Sequence, residues 1–285
     1  MVAVPAGSST APLPTAGQQG YLNIEHVAFR RFGSGKDLLL IMGQDGTMAW
    51  WEPSLLSVLA HHYTVTIFDL PGVGYSQSAT VPVTLSWLAD ETAGLIQALS
   101  LAHPTVVGWG LGGDIALALA ERHPASLGSL VLVDTSTGGS GAVRPATTIA
   151  ALFNSPWATA ASLASTIFGS SVPGSAGAFA SDASAWLVTV RSELPDEITK
   201  AGLDEERAVQ LDVWSSELLA ESTDSVSVPS LVASGADDTV FPASDAAQLA
   251  VAVPGAQTVT FPGAGYGSMF EDASAFVASL EQFTG

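Results

Sequence analysis

Two carboxylates, Asp45 and Asp114, stand where they could do chemistry. Asp45 sits in the turn Gly43-Gln44-Asp45-Gly46, an ordinary place for aspartate. Asp114 falls in the first turn expected after the run Gly108-Trp109-Gly110-Leu111-Gly112-Gly113, where an acid suits the helix dipole. Either becomes a general base only if a covering segment removes it from water. Ser136 and Ser268 carry hydroxyls, but the sequence shows no base partner for either. The histidines are His26, His61, His62, His103 and His123; no His-x-His or clustered carboxylate spacing offers a metal site. The absence of cysteine excludes disulfides, thiolate nucleophiles and Cys-ligated metals. No cofactor is called for.

Continuous apolar runs, the pattern of parallel strands covered on both faces, predict strands at Asp37–Met42, Tyr63–Asp69, Pro104–Trp109, Leu127–Asp134 and Pro229–Ser234. Helical spacing of Leu88, Leu95, Ile96 and Leu99, and of Ile115, Leu117 and Leu119, places helices between them. The βαβα order predicts an α/β chain with a mostly parallel, doubly wound sheet. Leu22–Phe32 alternates more and suits an antiparallel edge hairpin. A final helix is expected around Glu271–Phe283.

The strand and helix pattern breaks over 138–225, a glycine-rich opening followed by helical sequence with Phe153, Trp157, Phe168, Phe179, Trp186 and Trp214. That is too long for a plain connection and reads as a helical lid inserted after the sixth strand, which ends at Asp134. The core is then 21–137 with 226–285. Residues 1–20 are small, polar and proline-broken, without the basic and apolar regions of a signal peptide, and read as a flexible tail. No apolar run approaches a bilayer span, so a cytoplasmic protein with no membrane partner is expected. The net charge of −19 arises from scarce bases, with Lys36 and Lys200 the sole lysines. Such a field repels phosphate backbones, excludes nucleic acid as a partner, and favours a neutral or cationic small molecule. Homodimer formation stays open.

Five segments occur in a telling order: LLLIMGQDG (38–46), FDLPGVGYS (68–76), VVGWGLGGDIALALA (106–120), ASGADDTVFP (233–242) and FPGAGYGSMFED (261–272). With them the chain, from about residue 30 onward, resembles the lidded esterases and C–C hydrolases of the α/β-hydrolase superfamily. The family's Gly-x-Ser-x-Gly elbow reads Gly108-Trp109-Gly110-Leu111-Gly112 here, so the resemblance puts Gly110 at the nucleophile position. It puts Tyr266 where the family has histidine and keeps the acid, Asp238, between Gly235 and Pro242. The triad is therefore expected to be degenerate, and the family topology places all five histidines away from the site. The resemblance also implies an oxyanion hole from the backbone N–H groups of Gln44 and Leu111, which no side-chain substitution removes. Asp45, Trp109, Asp114 and Trp157 are the expected ligand contacts.

Three functions fit this reading. The favoured one is a non-hydrolytic cyclase, lyase or isomerase that acts on a small apolar carbonyl compound through the oxyanion hole and Tyr266. The second is a catalytically dead protein that binds a ligand or partner. The third is a hydrolase with a displaced nucleophile or attack by water.

Overall fold

The computed structural model of the chain describes residues 17–21, 27–146, 167–168, 200–216 and 222–285. Among the described residues eight strands run in chain order: β1 (Gly17–Tyr21), β2 (Ala28–Gly33), β3 (Lys36–Ile41), β4 (Tyr63–Phe68), β5 (Thr105–Trp109), β6 (Ser129–Val133), β7 (Ser230–Gly235) and β8 (Gln257–Phe261). They form one sheet in the order β1-β2-β4-β3-β5-β6-β7-β8. β1, β2 and β4 pair antiparallel, and every pair from β4 through β3 to β8 is parallel.

The helices among the described residues are α1 (Pro53–Ala60), α2 (Leu85–Ala98), α3 (Leu111–Arg122), α4 (Lys200–Ser215), α5 (Ala243–Ala252), α6 (Ser268–Glu271) and α7 (Ala273–Thr284). Strand alternation deals the apolar runs to two cores. Leu38 and Leu40 pack with Leu55 and Leu59 of α1 and with Phe276 and Leu280 of α7. Leu39 and Ile41 pack instead with Leu88 and Ile96 of α2 and with Ile115 and Leu119 of α3. Burying each such side chain contributes about 1.5–3 kcal/mol, so a run like Leu38–Ile41 is committed to the centre of a two-faced sheet. The helix starts are fixed locally. Thr84 accepts from the Trp87 N–H, and Asp272 accepts from the Ala275 N–H.

The strand expectations hold within a residue or two at each end. Two edges differ. Gly17–Tyr21, mostly assigned to the tail, pairs with β2 along its whole length and satisfies groups that an edge would leave open. β8 was not singled out, because its QTVTF alternates and is largely exposed at the other edge. Between β6 and β7 the chain carries α4. Most of the expected lid lies outside the described residues, including Phe153, Trp157, Phe179 and Trp186. Among the described residues no helix is long and apolar enough to cross a membrane.

Candidate active site

Strand order brings together the loops that follow β3, β5, β6, β7 and β8, with Ile41 registered against Gly108 where β3 meets β5. Gly110 makes the turn from β5 into α3 at φ 54° and ψ −120°, outside the regions open to ordinary residues. Its N–H donates to the Val133 carbonyl at 3.1 Å. A Cβ at Gly110 would collide with the Tyr266 hydroxyl. Gly112 has its own steric reason. A Cβ there would run into the Ile41 carbonyl and lie 2.7 Å from the Met42 oxygen, so glycine lets α3 begin hard against the end of β3. Among the described residues no acceptor meets the N–H groups of Gln44 or Leu111, the pair expected to form an oxyanion hole.

Tyr266 lies in the loop after β8, and its ring is buried. It stacks on Trp109 at 4.6 Å between centroids and leans on Phe241 at 5.6 Å. The Trp109 Nε1–H donates to the Tyr266 carbonyl at 2.7 Å. The loop is tied down elsewhere as well. The Gly265 N–H donates to Glu271 Oε1, and both the N–H and Oγ–H of Ser268 donate to Asp134 Oδ2. Burial, then the carboxylates of Asp238, Asp134, Asp114 and Asp45, push the Tyr266 phenol well above its ordinary pKa. It is a neutral phenol here, not a base.

Asp238 Oδ1 accepts from the Val240 and Phe241 N–H groups at 2.7 and 3.0 Å, while its buried Oδ2 has no partner among the described residues. Desolvation raises its pKa from 3.8 to about 7 against the pull of those two bonds. Asp114 is fully buried. It accepts from Thr135 Oγ1 at 2.9 Å and Gln210 Nε2 at 3.0 Å, and desolvation brings it to about 7. Its part therefore goes beyond the helix dipole. Asp45 adopts φ 61°, a turn conformation. Its N–H donates to Glu206 Oε2 at 2.7 Å, and its carboxylate pairs with Arg207 at 3.0 Å.

Glu206, Arg207 and Gln210 of α4 and the Asp134 partner of Ser268 are residues that sequence reasoning missed. Trp109 joins the Tyr266 cluster, whereas Trp157 lies outside the described residues. His61, His62, His103 and His123 all precede strand starts, at the end of the sheet opposite these loops; His26 is not described.

The buried acids set a pH dependence of stability. Asp69 accepts from the Met48 and Tyr75 N–H groups, and desolvation raises it to about 6; Asp114 and Asp238 are raised to about 7. Between roughly pH 4 and 7 these groups hold more protons folded than unfolded, so stability falls as pH rises through that window. Asp90, held low by Arg122, opposes the trend only in stronger acid. We expect the Tm to be higher near pH 5 than near pH 8 in thermal melts at constant ionic strength. A Tm that climbs toward pH 8 would contradict the assigned protonation.

The chain belongs to the α/β-hydrolase fold family, whose profile matches residues 38–273. Over 111 residues it is 40% identical to the pimeloyl-[acyl-carrier protein] methyl ester esterase of Aeromonas hydrophila subsp. hydrophila, covering 39% of this chain and 42% of that one. The chain thus spans less than half the length of that esterase. It is 27% identical over 252 residues to a Caulobacter sp. (strain K31) protein provisionally named the carbamate hydrolase RutD, covering 86% and 89% of the two chains. The crystal structure of a hydrolase from Pseudomonas aeruginosa PA01 superposes with a TM-score of 0.75 at 26% identity, covering 95% of this chain and all of that one.

These names overturn the expectation of a non-hydrolytic cyclase, lyase or isomerase. The relatives are named as hydrolases, and the fold is of their type. That expectation equated a missing serine and histidine with a missing reaction. Backbone donors and a buried carboxylate, however, do not depend on those two side chains.

Proposed function

We propose that the chain is a hydrolase of small acyl compounds, esters above all, in which water rather than a serine attacks the carbonyl carbon. The observation that carries this reading is the buried, unpartnered Oδ2 of Asp238, on a carboxyl whose pKa of about 7 makes it a base near neutral pH. Gly110 offers no Oγ for an acyl-enzyme, and the Tyr266 hydroxyl stands where one would be. The open N–H groups of Gln44 and Leu111 hold the carbonyl oxygen as it gains charge, and the neutral Tyr266 hydroxyl adds a third donor. Asp238 takes a proton from the attacking water. The C–O bond to the leaving group then breaks, and the departing oxygen recovers that proton, giving acid and alcohol.

The test uses methyl and short-chain p-nitrophenyl esters. Turnover is expected without a burst, without an acyl adduct by intact mass and without labelling by fluorophosphonates. The rate should rise with pH through an apparent pKa near 7. Asp238→Asn should lower it by about 100-fold or more. Tyr266→Phe, which keeps the ring, should cost on the order of 100-fold in kcat at unchanged Tm. Absent turnover, or wild-type rates in Asp238→Asn, would sink the proposal. Stoichiometric labelling at Ser268 would move the reaction to the Ser268–Asp134 pair.

A further inference from the structure

Glu206, on α4, is 2% exposed and reaches the loop after β3. Its Oε2 accepts the Asp45 N–H, and its Oε1 is buried with no hydrogen-bond partner among the described residues. Asp45 Oδ1 is likewise buried and unpartnered, because Gln44 and Arg207 all donate to Oδ2. The Glu206 carboxyl, held by the Asp45 backbone N–H, and the Asp45 carboxyl thus each present an oxygen with no donor among the described residues. The charges around them are lopsided. Glu206 lies in the field of Asp45 and Asp69, with Arg207 the opposing cation, and Asp204 adds a further negative charge at Asp45. Arg207 is already committed to Asp45 and Asp204. A buried acceptor pair in a negative field calls for a group that brings N–H donors and positive charge together. A metal ion fits poorly, since no three His, Cys, Asp or Glu side chains converge among the described residues.

We infer that Glu206 and Asp45 form a subsite for a protonated amine on the acyl part of the substrate, beside the Gln44 N–H that receives the carbonyl oxygen. This inference rests on the proposed hydrolase reading and narrows it to acyl compounds carrying an ammonium group. Burial raises the Glu206 carboxyl well above its ordinary pKa. Seating an ammonium there favours the carboxylate, so binding should release a proton to the buffer.

The probe is n-butylammonium chloride, with 1-butanol as the uncharged isostere, titrated calorimetrically into the full chain at neutral pH and fixed ionic strength. The expected result is saturable binding of butylammonium, tighter than butanol by roughly tenfold or more. Repeating the titration in buffers of different ionisation enthalpy should reveal the released proton. Glu206→Gln keeps an acceptor for the Asp45 N–H and should lose both the preference and the proton release; Asp45→Asn should weaken binding in the same direction. Equal affinity for the two probes, no saturable butylammonium binding, or wild-type behaviour in Glu206→Gln would each overturn the subsite. Binding needs no turnover, and hydrolysis of uncharged methyl esters needs no ammonium, so either proposal can fail while the other stands.

Discussion

Gly110→Ser should unfold at a Tm lower than wild type by about 10 °C, corresponding to a loss on the order of 4 kcal/mol. Two costs add. A serine must adopt φ 54° and ψ −120°, a conformation that costs a side-chain-bearing residue about 1–3 kcal/mol. Its Cβ must also displace the Tyr266 hydroxyl, and that ring is wedged between Trp109 and Phe241. Overpacking of this kind adds about 1–3 kcal/mol. Calorimetry on wild type and variant decides the matter. A variant that melts at the wild-type temperature would mean that Tyr266 swings aside freely and does not fill the elbow.

The second large effect is expected from Gly110→Ser combined with Tyr266→His. Imidazole is shorter than phenol, so histidine vacates the space a serine needs. It also offers a ring N–H toward Asp238 Oδ2, the buried oxygen that lacks a donor in the wild type. The double variant should recover part of the stability lost by the single one. It should also react stoichiometrically with a fluorophosphonate, whereas wild type and Gly110→Ser remain unlabelled. Mass spectrometry of the labelled chain must place the adduct on residue 110. An unlabelled double variant of native Tm would show that Asp238 is not aligned with that position.

Much of this frame was legible before any coordinates. Leu38–Ile41, Val106–Val107 and Leu130–Val133 are apolar without interruption because both sheet faces are covered, and such runs announce themselves. β8 did not, since an edge strand with an exposed face reads like a loop. For the candidate site, Gly110, Tyr266, Asp238, Gln44 and Leu111 could be named because the resemblance to the family, carried by its glycine-framed motifs, implies those positions. Glu206, Gln210 and the Asp134–Ser268 pair could not. Their partners lie 161, 96 and 134 residues away, and no local pattern marks such contacts. The reaction type was misread for a related reason. Missing side chains are conspicuous in a sequence, whereas a lone carboxylate oxygen left without a donor becomes visible only once the chain has folded.

Asp134 carries a consequence for how such a site can drift. It ties the end of β6 to the end of β7 and to the start of α6, accepting from the Gly235 N–H through one oxygen and from Ser268 through the other. The anchors of the loop after β8 run through backbone atoms, Ser268 and Glu271, and through the Tyr266 ring stacked on Trp109. Residues 110 and 266 compete for one volume, so tyrosine in the loop and glycine at the elbow belong together. The knot at Asp134 leaves the surrounding loops in place while that pair changes as a unit.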